Sequence, residues 1–568
     1  MSLRLPRHRP VVSLLVTLSL LLAACGQGPN LPFIPSSPTP EQPRQVRVTV
    51  VDSTTGDPIP GARLEADNAT ATTGDDGTLT LTAMRGTKVS VSADGHDPAS
   101  GSVPAEGDLQ LKLRGNVVSG VVTDPSGKPL KGVRVFVDQQ TDGPMVETDE
   151  HGAYRLPEVP EQGTLIYKMP AYRLAEIPID RQMAKDVVMQ PFAVRALYAP
   201  AAVFEAHGRL DEMLELIDKT ESNAMVIDVK ETNGNLYWAT DLPEAKAIGA
   251  VMEHPLFDLA EVLPKLKERG IYTIARMVVM KDNTLGKARP ELAVRNAKTG
   301  GPWKDYGGGI WLDPYQPGVA EYIASLAGDL AAKGFDEVQL DYVRFFSDGP
   351  YDLADTNLPN TQSFRLPAIK RLFRLVSQTL DHTKTFLGAD VFPISFIAPD
   401  DQGIGQRPEV IMPYVDYFCP MVYPSHYGPG TFGFSVPNDH PYEVINESLK
   451  IMNREAAGLT LKIRPWIQDF GYGPFPKYTA SQIKAEMKAL RDNGAFGWMI
   501  WNARAIFTRA ALGPPQKNEE AGPVTEAAPP GSSPLASASS AAAASGTPGV
   551  SDGASGSPSA PASASAAP

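Results

Sequence analysis

Four aspartates stand at the ends of apolar runs. They are Asp228 in Ile-Asp-Val-Lys-Glu, Asp341 in Gln-Leu-Asp-Tyr-Val-Arg, Asp390 in Gly-Ala-Asp-Val-Phe and Asp469 in Ile-Gln-Asp. A carboxylate within such a run is rare unless it is paired or has a task, and Lys230, Arg276 and Arg344 are the cations available as structural partners. Alternation along a strand puts Asp228 beside Lys230 and Gln339 beside Asp341, each pair on one face. Two carboxylates held close repel, so one takes a high pKa and the other a low one, which yields a general acid and a nucleophile or base from one residue type. Cleavage of a glycosidic bond needs that pair. All six tryptophans, 238, 303, 311, 466, 498 and 501, follow residue 192. The sequence places Trp238 (beside Tyr237), Trp303 and Trp311 on loops after strand ends, where flat aromatic faces suit sugar rings, and Trp498 in the core.

These residues need a frame. From about residue 193 to 510, eight β-rich runs alternate with helical segments: Val194–Ala199, Ala224–Glu231, Ile271–Met280, Glu337–Phe345, Phe386–Phe392, Tyr417–Tyr423, Ile463–Phe470 and Phe496–Asn502. Helices are predicted over Val319–Lys333 and Ser481–Asn493, each stopped by a glycine. Eight such units predict an α/β fold, the (β/α)8 TIM barrel, whose reactive groups lie at the C-terminal strand ends. The competing open doubly wound sheet is disfavoured because no glycine-rich phosphate loop follows the first run. Pro420 and Pro465 fall inside runs six and seven and predict bulges or strand starts there.

Ahead of the barrel, Gly56-Asp-Pro-Ile-Pro-Gly-Ala-Arg-Leu recurs as Gly127-Lys-Pro-Leu-Lys-Gly-Val-Arg-Val. Two small β-sandwiches are expected, over 46–114 and 115–192. Asp75, Asp76 and Asp149 sit in their turns, where bonding to their own backbone is the commoner role and calcium ligation the rarer. Residues 1–25 have a basic start, an apolar run from Val11 to Leu22 and then Leu-Ala-Ala-Cys25, the order of an export signal. Residues 26–45 are proline-rich and read as an extended spacer. Residues 511–568 are almost entirely Ala, Ser, Pro and Gly and read as disordered. A net charge of −13 argues against nucleic acid and against any polyanion gathered by bulk charge. Cys419, in an apolar run, is expected to be a small buried hydrophobe.

Three resemblances add to this reading. The Leu-Ala-Ala-Cys-Gly stretch resembles the lipobox of bacterial lipoproteins, which implies lipidation of Cys25, export, and tethering to the cell envelope, periplasmic or surface-facing. The two repeats resemble carboxypeptidase regulatory-like, transthyretin-like modules, expected to act as spacers or to dock a cell-surface partner. The stretches at 227–230, 335–345, 388–392, 420–430, 463–470 and 497–502 resemble a family of bacterial glycoside hydrolase barrels, related in outline to α-amylase-type barrels.

That resemblance implies a polysaccharide substrate, with Asp341 as nucleophile, Asp390 as acid/base and Asp469 as a stabiliser that binds substrate. The chain departs from the α-amylase plan in carrying Asp390 where Glu is usual and Gln339 where Arg is usual. Asp228, Lys230, Trp238, Arg344, Tyr423, His426, Gln468, Trp501 and Asn502 complete the expected substrate-binding set. Two other functions compete: a non-catalytic carbohydrate-binding surface protein, and a metal-dependent deacetylase. The second is disfavoured because His207, His254, His382, His426 and His440 show no ligand spacing, so neither metal nor cofactor is expected.

Overall fold

The computed structural model describes residues 42–67, 69–180, 182–459 and 462–516. The export signal with Cys25, most of the proline-rich spacer and nearly all of the Ala/Ser/Pro/Gly tail lie outside the described residues.

The chain divides into two compact units. The first holds a three-stranded sheet (Thr78–Ala83, Arg44–Asp52, Leu109–Leu113) and a four-stranded one (Ala69–Thr72, Arg63–Ala66, Lys88–Ser92, Ala99–Ser102). Period-two alternation buries Val46, Val48 and Val50 on one sheet and Leu64, Val89 and Val91 on the other. In this repeat the Thr73 hydroxyl donates to the Ile59 carbonyl at 2.7 Å and accepts from the Ala62 amide at 2.9 Å. In the second repeat Thr148 does the same with Leu130 and Val133, at 2.5 and 2.9 Å. The turn acids serve the backbone: Asp76 accepts from the Thr78 amide, and Asp149 from those of His151 and Ala153.

The second sandwich pairs the sheets Met145–Glu147, Arg134–Val137, Thr164–Lys168, Ala175–Pro178 and Ala153–Leu156, Val118–Thr123, Val187–Val188. It belongs to the same unit as the barrel and is fastened to it. Arg134 forms an ion pair with Asp416. Lys384 bridges Asp138 and Glu176 at 3.0 and 2.8 Å. The buried Lys168 ammonium donates to the Thr383 and Thr385 carbonyls at 3.1 and 2.5 Å, and the Ala171 amide donates to Tyr417 Oη at 3.0 Å. A spacer would not bury cations against its neighbour, so this module is part of the barrel's floor.

The barrel strands run in parallel through Val194–Ala199, Ala224–Lys230, Tyr272–Val278, Glu337–Asp341, Phe386–Val391 and Tyr417–Pro420. A seventh strand follows in two pieces, Lys462–Ile463 and Trp466–Gln468, and then an eighth, Gly497–Trp501. The eighth pairs with the first, and the second piece of the seventh bridges to Met421 beyond the sixth, which closes the circle. Pro465 explains the break, since it supplies no amide to the ladder. Pro420 ends the sixth strand.

The enclosing helices start and stop where the sequence signals. Pro317–Lys333 has proline at its first turn and Gly334 at φ 97° as its cap, and Ala480–Asp492 opens on a Thr479/Gln482 capping box. Outward residues such as Val338, Leu340, Leu387 and Ala389 pack under these helices. Inward ones fill the lumen. Near the floor Arg464 pairs with Glu337, which also accepts from Tyr272 Oη at 3.1 Å, and Arg464 lies over the Tyr417 ring at 4.1 Å. Gly388 must lack a side chain, because a Cβ there would lie 2.5 Å from Glu337 Oε1. Cys419 is fully buried beside this layer, as the sequence predicts.

A fragment spanning residues 113–516 should therefore melt in one cooperative transition. One spanning 193–516, with Asp416 and Tyr417 stripped of their partners, should melt lower or aggregate. Circular dichroism melts of the two fragments check this, and equal melting temperatures would count against the floor assignment.

Candidate active site

The upper lumen is organised by Arg276, on the third strand. Its Nε and Nη2 donate to Asp341 Oδ2 at 3.0 and 2.6 Å, and its Nη1 donates to Asp228 Oδ1 at 2.6 Å and Glu231 Oε1 at 2.8 Å. Asp228 and Asp341 therefore meet, as alternation predicts, on the inner ends of strands two and four. Tyr198 donates its hydroxyl to the other oxygen of Asp228 and stacks on Trp501, with centroids 3.9 Å apart. The guanidinium lies 5.1 Å from the Trp501 ring centroid. The backbone turns sharply after Asp341. Tyr342 has φ 52°, a region costly for a non-glycine residue, and its amide donates to Asp341 Oδ1 at 2.6 Å.

Asp390 enters from strand five. Its Oδ1 accepts from the Trp466 indole at 2.7 Å. Its Oδ2 has no hydrogen-bond partner among the described residues, although the side chain is buried. No cation pairs with it among those residues. Burial first, and then the negative charge of Asp341, push its pKa well above the ordinary carboxylate value. Asp390 is thus biased toward its neutral form, beside an Asp341 that is paired with Arg276. Burial and the charge of Glu231, against the pull of Arg276, raise Asp228 to about 7. Glu231, despite its own burial, is held below the usual range by Arg276 and by its hydrogen bond with Asp228. Of the acids paired with Arg276, Glu231 is the most exposed, at 31% of its side chain.

The remaining expected residues divide. Tyr423 lies near enough to Asp390 and Asp341 for both charges to raise its phenol, after burial. It packs edge-on to His426 and Phe470. His426 stacks on Tyr472 at 4.2 Å, and although part of it reaches solvent, these rings disfavour its charged form and lower its pKa. Gln468 accepts from the Ser425 hydroxyl at 2.9 Å and donates to the Phe470 carbonyl at 2.9 Å, which fixes the loop carrying Tyr423 and His426. Arg344 lies beyond Asp341 among Trp311, Tyr342 and Phe392.

Four residues turn away from the acids. Lys230, beyond a register shift in the second strand, pairs with Asp282 at 2.9 Å and donates to the Val278 carbonyl at 2.6 Å. Asp469 accepts from the amide and hydroxyl of Thr508 at 2.6 and 2.8 Å. Asn502 donates to the Asp469 and Ile506 carbonyls at 2.6 and 2.8 Å. These two hold the loop after strand eight. Trp238 is buried, its indole donating to Asp329 at 2.7 Å. Trp303 and Trp311 are buried as well, with indole partners Pro350 and Asp305. None of these three loop tryptophans is an exposed platform: each satisfies its N–H inside the protein, so nothing holds the ring at the surface. Trp498 lies in the outer core, as expected. Glu231 and Arg276 belong to the cluster, yet the sequence reading left both out of the expected site.

A family model described as "Putative glycosyl hydrolase domain" matches residues 196–507, and one for a carboxypeptidase regulatory-like domain matches residues 117–190. Among solved structures, a hypothetical protein from Ruminiclostridium thermocellum ATCC 27405 is 31% identical over 34% of this chain and 97% of its own, with a TM-score of 0.31. The PgaB (BpsB) glycoside hydrolase domain from Bordetella bronchiseptica is 15% identical over 56% of this chain and 99% of its own, at 0.42. The spore cortex-lytic enzyme SleL from Bacillus cereus is 10% identical over 60% and 76%, at 0.36. No curated protein matches.

A buried acid with a raised native pKa favours the fold at low pH, and that contribution is lost as pH rises from the unfolded value, about 4, through the native one. Asp390→Asn removes this loss. The variant should therefore gain stability over the parent above about pH 5, by up to about 1.4 kcal/mol per pH unit. Urea unfolding across the pH range measures it, and a difference that does not change with pH would mean that Asp390 is already ionised in the native state.

Proposed function

The chain belongs to the putative glycosyl hydrolase domain family, and from that premise we propose that its barrel hydrolyses O-glycosidic bonds of a polysaccharide by a two-carboxylate mechanism. The observation that carries this reading is the asymmetry of Asp390 and Asp341. One is buried, has an oxygen without a hydrogen-bond partner among the described residues and has a raised pKa, and the other is gripped by a guanidinium.

Asp390 acts as the general acid. Its proton passes to the glycosidic oxygen as the bond to the anomeric carbon breaks, and the departing sugar leaves as a neutral alcohol. Asp341 supplies negative charge opposite the oxocarbenium-like carbon, either attacking it or steering water onto it. The Arg276 fork fixes the position of Asp341, and the strained turn at Tyr342 ties its second oxygen to a backbone amide. If Asp341 attacks, the ionised Asp390 takes a proton from the water that then hydrolyses the glycosyl–enzyme bond; if Asp341 instead steers water, it takes that proton itself, and Asp390 is reprotonated and Asp341 deprotonated by exchange with solvent. Tyr423, close enough to the pair for its phenol to be raised by both carboxyls, and Trp501, which lies over the Arg276 guanidinium, would contact the sugar. A lipid on Cys25 would hold the enzyme at the cell envelope, beside polymeric glycans.

Asp341→Asn should lower kcat on the cleaved polysaccharide at least about a thousandfold. Asp390→Asn should do so by about a hundredfold or more on the polymer, but much less on an aryl glycoside whose leaving group needs no proton. In the parent, activity should fall as pH rises through the Asp390 ionisation, and the variant should lose that limb. Screening the residue 113–516 fragment on cell-wall and storage glycans supplies the substrate. Full turnover by Asp341→Asn would refute the assignment.

A further inference from the structure

Beside the acids lies a cation that the mechanism does not use. Arg344 is 3% exposed, yet no carboxylate pairs with it among the described residues, and burial lowers its pKa. Its guanidinium is surrounded by the rings of Trp311, Tyr342 and Phe392, at 4.8, 5.2 and 4.8 Å. Only Nη1 is engaged, donating to the Phe345 carbonyl at 3.0 Å and to Ser347 Oγ at 2.9 Å. Nε and Nη2 have no hydrogen-bond partner among the described residues, and neither is sealed in as the unpartnered Nε and Nη1 of Arg464 are. Of the acids nearby, Asp305 is already held by Lys281, the Trp311 indole and the Gly309 amide. Asp348 makes no ion pair with Arg344.

Desolvating a cation without a counter-charge is costly, and the fork left free, Nε with Nη2, is the edge that matches the two oxygens of a carboxylate. Next to it stand two exposed aromatic rings. Tyr306 is 77% exposed and Tyr351 51% exposed, and Tyr351 lies close enough to Arg344 and Tyr306 to feel their charges.

We propose that Arg344, Tyr306 and Tyr351 form a subsite, adjoining Asp341, for a sugar residue that carries a carboxylate, so that the substrate is a uronate-containing polysaccharide. This deepens the glycosidase reading and rests on it for the identity of the ligand as a sugar. The net charge of −13 gives no general attraction for such a polymer, so recognition falls to this one fork.

Trp303 and Trp311 lie alongside and supply the signal. Tryptophan fluorescence of the full chain would be titrated with oligosaccharides from alginate, polygalacturonate, hyaluronan and glucuronoxylan, each against its carboxyl-reduced counterpart. At least one acidic pool should bind about tenfold or more tighter than its reduced form, the worth of one charge-assisted hydrogen bond. Arg344→Gln should erase that preference. Tyr306→Ala, at a largely solvated position outside the barrel core, should weaken binding of both forms. Arg344→Gln that keeps the preference, or acidic pools that bind no better than their reduced forms, would overturn the proposal. If the preference is found and no bond is cleaved, the glycosidase reading fails while the subsite stands. If reduced oligosaccharides are cleaved as fast as acidic ones, the subsite fails while the glycosidase stands.

Discussion

One guanidinium faces too many carboxylates. Arg276 meets Asp228, Glu231 and Asp341 at distances that permit full ion pairing with each, but a single positive charge cannot compensate three negative ones in a desolvated lumen. The excess is absorbed by protonation. Asp228 rises to about 7 and shares a hydrogen bond with Glu231, and Asp390, which forms no ion pair among the described residues, is pushed well above the ordinary carboxylate range by burial and by the field of Asp341, against the weaker pull of Arg276. An arginine paired with Asp390 would satisfy the site as structure and abolish the acid. The shortage of positive charge is therefore what separates an acid from a base here, and the closed barrel below, with its own Glu337–Arg464 pair, keeps water from relieving it.

Much of this frame was legible in the residues themselves. The helix stop at Gly334, the strand start after Pro465 and the shared face of Gln339 and Asp341 follow from local rules that tertiary packing did not overturn, whereas Pro420, expected at a bulge or strand start, instead ends the sixth strand. What was not legible depends on partners distant in the chain. The loop tryptophans looked like platforms because they follow strand ends; Trp311 finds its acceptor, Asp305, only six residues away, but the acceptors of the other two are remote. Asp329 lies 91 residues from Trp238 and Pro350 lies 47 from Trp303, and only the fold brings them together.

The repeats make the same point about roles. Arg63 and Arg134 occupy equivalent places in the two sandwiches. Arg63 pairs with Glu65 in the open, at 63% and 54% side-chain exposure, a contact worth little. Arg134 pairs with Asp416 under the barrel, largely shielded from solvent. The motif fixes a fold, and the same arginine idles on one copy and fastens the floor on the other because only the second copy meets a complementary acid.

The mouth chemistry depends on two departures from strand alternation, both at strand ends. In the second strand the register shifts between Asp228 and Lys230. Past that shift Lys230 is drawn to Asp282 and Glu231 reaches Arg276, although strict alternation would have put the lysine beside the acids. In the fourth strand the left-handed Tyr342 has the same effect. Period two after Asp341 would aim Val343 into the lumen and Arg344 under the helices, but Val343 packs in the outer core and Arg344 lies among the aromatic rings of the mouth. A left-handed non-glycine residue costs roughly 1–3 kcal/mol, and a bulge sacrifices ladder pairing. Each cost exchanges an apolar or mispaired side chain for a charged one at the rim. That exchange is how a frame built by strict alternation brings Glu231 to Arg276 and Arg344 to the aromatic rings of the mouth.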